Sequence, residues 1–549
     1  EKKDLRIYEL HMRDFLHTKS YVTLLDTLDY LDDLGINAIE FMPVGEFENN
    51  DSWGYNPSFH MALDKFYGTP DMFKTVVDAC HERGIAVIID IALNHAYGQS
   101  PLVNMYWDSG ANNVASDNPW FNQECPHPPF CWGYDFNHET DATKRYVDRV
   151  NRHWLEEYHV DGFRFDYTKG FTNQGSFDYD NTRIQLIERM ADALWAIDSE
   201  AYVILEHWTG NQEEEILSDY GMMLWGNSNY NYSEAAMGYI PGSNFEWGIY
   251  LQRGWTDPHL VTFMESHDEE RLSYRVKTYG NSNGSYDTQE YVTTYARHEL
   301  AAVFFLSQPG PKMVWQFGEL GYDISIDFIC RVCAKPILWN YFEENPRKRL
   351  YDVYSAMNGL RENYPNTFNS SDMNYSLAGQ FKRINLYNAA MDAVVIGNFG
   401  VTEVSGVPNF PYTGTWFDYF SGEAIVEDNL SNSFLLQPGE YRIYTSQQIE
   451  QPDLQSVGIQ EQLLNLEVGI RPNPASDQLA LDFELLTSGK LEVMILDAEG
   501  RIIRRLKNAE VGASQQYLTY DITGLSAGNY HVLIALDGLP NSYPFIKID

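Results

Sequence analysis

From residue 5 to about residue 364, strand-like and helix-like segments alternate, and that rhythm constrains this 549-residue chain more than any other feature. A strand-like run at 7–10 precedes a helical stretch at 22–34 that stops at Gly35. Residues 38–41 lead to a helix at 71–83 that stops at Gly84. Residues 85–91 are a continuous apolar run, as a strand covered on both faces requires. Helix 142–158, strand 162–166, helix 182–197 and strand 202–205 continue the series. Strands at 222–225, 260–264 and 312–315 complete it, with a last helix near 347–363. Eight strands alternating with helices predict a closed α/β architecture, a (β/α)8 TIM barrel, rather than an open sheet. The loop-rich stretch at about 96–138, full of Asn, Pro and aromatics, predicts a short inserted subdomain after strand 3.

The texture changes after Pro365, so the barrel is assigned to 1–365. Residues 366–446 read as short alternating strands with Gly, Pro and Asn turns, the pattern of a β-sandwich. Residues 447–462 are polar and Gln-rich and read as a linker. Residues 463–549 are again all-β, a second small Ig-like sandwich.

The formal net charge of −40 repels nucleic acid and anionic membranes and is compatible with a neutral polymer. No apolar run is long enough to span a bilayer. The abrupt start at Glu1, without Met or leader, reads as a trimmed product from which an upstream domain is missing. Of five Cys, Cys125 and Cys131 share a Pro-rich loop suited to a disulfide in an oxidising compartment. Cys330 and Cys333 form an isolated Cys-x-x-Cys, expected as a local disulfide or two free thiols, because a zinc site needs a second such pair. Cys80 falls in a helical pattern and is expected buried.

Three short segments carry the chemistry. Gly-Phe-Arg-Phe-Asp at 162–166, Leu-Glu-His-Trp at 205–208 and Glu-Ser-His-Asp at 265–268 each end a strand-like run and deliver a carboxylate. Asp166, Glu206 and Asp268 would therefore meet at the C-terminal mouth of the barrel, where such folds do their chemistry. A retaining glycosidase needs a carboxylate nucleophile and a protonated carboxylic acid about 5–5.5 Å apart. Arg164 lies two residues before Asp166, on the same strand face, and would keep it ionised. Crowding by Asp166 and Asp268 would raise the pKa of Glu206, so that it holds a proton. His95 and His267 are donors suited to sugar hydroxyls, and Tyr55, Tyr167 and Trp208 offer rings for stacking.

At this point residues 5 to about 446 resemble the α-amylase family of glycoside hydrolases. The matching pieces are Asp-Ile-Ala-Leu-Asn-His at 90–95, Gly-Phe-Arg-Phe-Asp-Tyr-Thr-Lys at 162–169, Glu206 in its segment, and Ser-His-Asp at 266–268. Trp-Gly-Tyr-Asn-Pro at 53–57, Lys-Phe-Tyr-Gly-Thr at 65–69, and Pro-Gly-Pro at 309–311 with Gln-Phe-Gly-Glu at 316–319 also fit. The resemblance implies that Asp166 is the nucleophile, Glu206 the acid/base and Asp268 the stabiliser of the distorted sugar. It implies sugar contacts from Tyr55, His95, Arg164 and His267, and a leaving-group-side contact from Lys169. It also implies a structural calcium, with Asn94, Asp135 and the Gly170 carbonyl as ligands. The family's usual residue after Lys169 is His, and this chain has Gly170.

The expected substrate is an α-glucan such as starch, glycogen or a maltooligosaccharide, with endo-hydrolysis of α-1,4 linkages favoured. Tyr-Glu-Leu-His-Met-Arg-Asp-Phe at 8–15 and Met-Pro-Val-Gly-Glu-Phe at 42–47 look instead like debranching or branching members, so α-1,6 cleavage and glucan branching stay open. A relative that only binds glucan is the third possibility.

Residues 463–549 resemble the C-terminal sorting domain of the type IX secretion system of certain Gram-negative bacteria. Arg-Pro-Asn-Pro-Ala at 471–475, Asp-Ala-Glu-Gly-Arg at 497–501, Leu-Ser-Ala-Gly-Asn-Tyr at 525–530 and a late Lys547 carry the resemblance. The segment has no Trp, which counts against a starch-binding module. It implies a secretion machinery as partner and a cell-surface or extracellular destination.

Overall fold

The computed structural model describes residues 2–548 apart from 50, 176–177, 285, 455–467, 486–488, 498–501, 513 and 537–538. Eight strands close into a parallel barrel: β1 (Arg6–Leu10), β2 (Ala38–Phe41), β3 (Ala86–Ile91), β4 (Gly162–Phe165), β5 (Tyr202–Leu205), β6 (Met223–Asn227), β7 (Leu260–Phe263) and β8 (Lys312–Trp315). Each pairs in parallel with its sequence neighbours, and β8 closes on β1 through Arg6–Lys312 to Glu9–Trp315.

Side chains two apart on a strand share a face, and here the inward face changes character along each strand. Ile7, Ala38, Ile88, Ile204, Met223 and Val261 fill the lower interior with apolar volume. Two residues further on, the same face presents Glu9, Glu40, Asp90, Arg164, Glu206, Trp225 and Phe263. Arg164 lies directly across the ladder from Asp90, and Glu9 from Glu40. The apolar lower layers hold the barrel rigid, and the polar layer lies at its C-terminal end.

The outer helices follow from their sequences. Pro70–Glu82 starts with the Thr69 hydroxyl accepting from the Met72 N–H and buries Phe73, Val76, Val77 and Cys80 at helical spacing. Thr140 caps Asp141–Tyr158 and Asp180 caps Asn181–Trp195 in the same way. The expected helix at 22–34 is broken into Tyr21–Leu24, a 3-10 turn at Leu25–Thr27, and Leu28–Asp33. The Thr27 hydroxyl bonds back to the Leu24 carbonyl at 2.8 Å and competes with the helical ladder. Helices Asn211–Tyr220, Asn229–Met237, Leu272–Tyr279 and Tyr291–Leu306 complete the outer layer.

The insertion after β3 is tied to the barrel by pairing of His95–Ala96 with Tyr134–Asp135, and it has its own small apolar cluster around Val103, Val114, Phe121 and Phe136. Cys125 and Cys131 are joined as a disulfide within it, Cys330 and Cys333 form a second, and Cys80 is free and buried.

Beyond helix Asn345–Asn363 the chain forms a six-stranded antiparallel sheet and a two-stranded one. Strand Ala393–Asn398 shows how the sheet is used. Val394 and Ile396 face a local core with Trp416 and Tyr444, while Ala393 and Val395 join the main core shared with the barrel helices. Arg297, fully buried, donates to the carbonyls of Ala235, Ala236, Asn398, Phe399 and Gly400 and so binds the two layers together.

Of the segment expected as a linker, 447–454 has no regular structure and the remainder lies outside the described residues. The chain divides into compact units 1–455 and 456–549. The second is all-β, with a three-stranded and a four-stranded antiparallel sheet around Leu479, Leu481, Phe483, Val493, Ile495, Val532, Ile534 and Phe545. Among the described residues, no helix is long and apolar enough to cross a membrane.

Candidate active site

At the C-terminal mouth of the barrel one cation organises three acids. Arg164, wholly inaccessible, points its Nη1 at Asp90 (2.9 and 3.0 Å) and at Asp166 Oδ1 (3.0 Å), and its Nη2 at Glu206 Oε2 (2.7 Å). Its guanidinium stacks 4.0 Å from the Trp225 ring centroid, so the ion pairs are shielded from water on that side. Asp166 and Glu206 follow β4 and β5, and these adjacent strands set their carboxyls side by side.

The two acids are held differently. Glu206 accepts three N–H bonds: from Arg164, from the Tyr167 backbone at 3.0 Å, and from Trp208 Nε1 at 2.8 Å. On Asp166, burial and then the neighbouring Glu206 carboxylate push the carboxyl well above its ordinary range, against the pull of Arg164, and the pair is joined by a hydrogen bond. The pull of Arg164, expected from sequence to keep Asp166 ionised, is therefore outweighed by burial and by Glu206.

The third acid follows β7. Burial alone would raise the Asp268 carboxyl, but the charges of His267, Arg331 and Arg164 overcome it and hold the group low. His267 donates from Nδ1 to Glu9 Oε1 at 2.6 Å, and its Nε2 lies 3.4 Å from Asp268 Oδ2. Burial opposes its charge, but Asp268 and Glu9 push its pKa up to about 10, so it is an imidazolium. Tyr55 stacks on it with ring centroids 5.0 Å apart and donates its hydroxyl to Asp90. His95 is the opposite case: burial brings it down to about 4, and the neutral ring bonds through Nε2 to the Tyr55 carbonyl at 2.8 Å.

Trp208 sits at a positive φ of 51°, which turns its indole N–H onto Glu206. Lys169 is half-buried, with its amine 6.0 Å from the Phe130 ring centroid. Asn94, Asp135 and Gly170 also converge. A Cβ on Gly170 would stand 2.1 Å from Asn94 Oδ1, and Asp135 pairs across the ladder with His95. Asn94 Oδ1 and Asp135 Oδ1 are both buried without a hydrogen-bond partner. Burial pushes the Asp135 carboxyl up to about 7. Two orphaned hard oxygens, one on an acid stripped of water, suit a hard cation. The described residues contain no group of three or more His, Cys, Asp or Glu placed to hold a metal, so the set rests on amide and carbonyl oxygens beside one carboxylate.

Several residues of this layer escaped the sequence reading. Asp90 and Glu9 lie within quoted motifs, and their inward register on β3 and β1 was the available signal. Glu40 is the least expected. Both its carboxyl oxygens are buried without partners, and burial, then Glu9 and Asp90, push it well above the carboxylate range. Trp132 stands edge-on to Tyr167 at 5.0 Å and close to His95, in a loop without periodicity to place it.

Comparison with known proteins matches residues 22–140 to the family "Alpha amylase, catalytic domain" and residues 469–541 to "Secretion system C-terminal sorting domain". An Anoxybacillus alpha-amylase superposes with a TM-score of 0.65 at 18% identity, over 81% of this chain and 98% of that one. Residues 22–140 thus resemble the α-amylase catalytic domain, and the barrel shares the fold of a solved alpha-amylase. A malto-oligosyltrehalose trehalohydrolase of Saccharolobus solfataricus is 25% identical over 63% of this chain and 58% of its own length. A 1,4-alpha-glucan branching enzyme of Corynebacterium efficiens is 35% identical over 30% of this chain and 22% of its own. The chain thus spans little more than half of the first of these curated relatives and about a fifth of the second. The barrel carries the candidate site. The C-terminal unit is a type IX sorting domain, which directs the protein to the cell surface or the medium.

Proposed function

We propose that this protein is a retaining glycoside hydrolase of α-glucans, acting by endo-hydrolysis of α-1,4 linkages. The observation that carries the reading is Arg164 bridging Asp166 and Glu206 at the ends of adjacent strands, with Asp268 facing them from β7. Asp166 attacks the anomeric carbon while the glycosidic C–O bond breaks, and Glu206 gives the leaving oxygen its proton. Arg164 holds the Asp166 oxygen that attacks. Asp268 bonds the hydroxyls of the flattened sugar, and the His267 imidazolium and Tyr55 fix the ring. Water then adds to the anomeric carbon, gives its proton to Glu206 and releases Asp166, so that one bond and one water are consumed per turnover. Lys169 and Trp208 lie on the leaving-group side.

Asn94 Oδ1, Asp135 Oδ1 and the Gly170 carbonyl would hold a calcium ion. Such an ion would supply the positive charge that the Asp135 carboxylate lacks and fasten the inserted subdomain to the barrel.

The debranching-like motifs near β1 and β2, and the likeness to a branching enzyme, keep α-1,6 cleavage and branching as a second reading. Both share the covalent intermediate and differ in the linkage or acceptor. Incubation with amylose, pullulan and cyclodextrins, with products resolved by size and linkage, separates them. Shortened amylose chains support the first reading, new branches or selective pullulan cleavage support the second, and no turnover of any glucan rejects both.

A further inference from the structure

The Cys-x-x-Cys pair that the sequence leaves without a role closes as a disulfide in the loop after β8. That loop is fastened from several directions. Lys335 Nζ donates to the carbonyls of Cys330 (2.8 Å), Arg331 (3.1 Å) and Cys333 (2.8 Å). Arg13 donates to the Val332 carbonyl at 3.1 Å and is itself anchored by Asp14 and Asp51. Ile329, just before the strap, holds a φ of 63°, a conformation that a β-branched residue keeps only where its surroundings impose it.

What the strap presents is Arg331. Its Nη2 donates to the Asp268 carbonyl and lies 3.5 Å from Asp268 Oδ1. The other carboxylate oxygen faces His267. Asp268 therefore stands between a cation from its own loop and a cation delivered by the strap. Its side chain is 44% exposed, so without Arg331 its orientation would fall largely to the His267 contact. A group that must meet the sugar in one geometry gains from being held there before substrate arrives.

We propose that the Cys330–Cys333 strap makes Arg331 a positioning residue for Asp268, holding that carboxylate in the orientation from which it stabilises the transition state. This rests on the reading of Asp268 given above. The export signal fits it, since an oxidising destination keeps the strap closed.

The test measures kcat and KM on a maltooligosaccharide with the full chain. The variants are Arg331→Ala, Arg331→Lys, Cys330→Ser/Cys333→Ser and the triple variant, with Tm recorded for each and Asp166→Asn as reference. Arg331→Ala is expected to lower kcat about tenfold with KM nearly unchanged, and Arg331→Lys to recover part of the loss. Opening the strap should cost kcat by a similar factor, and the triple variant should be no worse than Arg331→Ala alone, because the strap acts through that residue. A kcat untouched by Arg331→Ala, a change confined to KM, a loss of Tm alone on opening the strap, or losses that multiply in the triple variant would each overturn the proposal. Activity surviving in Asp166→Asn would instead reject the underlying reading of the site.

Discussion

Glu9 Oε1 stands 2.6 Å from His267 Nδ1, joining the first barrel strand to the end of the seventh across 258 residues of sequence. This contact and Asp268 raise the His267 pKa, and the Glu9 contact is present only while the barrel is closed. A histidine raised from 6.5 to about 10 contributes stability that is full below pH 6.5 and is lost as the pH rises through about 10. Tm measured between those limits should therefore fall with pH in the wild type. In Glu9→Gln that slope should flatten, with a lower Tm at neutral pH. An unchanged slope would mean that Glu9 does not set the charge.

Arg164 meets Asp90, Asp166 and Glu206 with one planar group. A lysine places a single point charge and cannot satisfy three carboxylates at once. Arg164→Lys is expected to lower kcat/KM by roughly a hundredfold or more while far-UV circular dichroism stays native. Near-wild-type kinetics would remove Arg164 from the site's electrostatics.

Separate roles for Asp166 and Glu206 predict separate losses. Asp166→Asn should abolish turnover of every substrate, by roughly a thousandfold or more. Glu206→Gln should do so for glucans yet spare formation of the intermediate from a glycosyl fluoride, whose leaving group needs no proton. Equal losses on both substrates in Glu206→Gln would argue against an acid role.

The orphaned oxygens near Gly170 make a stability prediction. Asp135, raised from 3.8 to about 7 by burial, favours the folded state fully below pH 3.8, and that contribution is lost as pH rises through about 7. Chelator-treated protein should therefore lose Tm across that window, and calcium should restore it. Asp135→Asn should be indifferent to both pH and calcium there. Calorimetry on the two proteins, with and without calcium, decides it.

Gly170→Ala asks how tight the cradle is. The added methyl would meet Asn94 Oδ1 at 2.1 Å and the Tyr167 ring at 2.8 Å. Neither neighbour is the free end of a flexible chain, so about 1–3 kcal/mol of lost stability is expected in denaturant titrations.

Much of this architecture is legible in the sequence because the barrel strands are short, largely apolar runs alternating with helical periodicity. Asp166 and Glu206 are legible for the same reason, since each directly follows such a run, and Asp268 lies five residues beyond the end of β7. The Trp208 bond to Glu206 is not, because it depends on a positive φ at one residue. Arg331 is invisible as well. Sixty-three positions separate it from Asp268, and only the folding of the loop after β8 brings it there. The broken helix at 22–34 shows the reverse error, where good periodicity is overruled by one threonine hydroxyl.

Glu40, sealed in the barrel with two unpartnered oxygens, changes how the chain's electrostatics should be counted. Formal arithmetic gives −40 by treating every acid as ionised. Glu40 and Asp166 are both driven toward the neutral form by burial and by neighbouring acids. The charge measured by electrophoresis should thus be smaller than the formula implies.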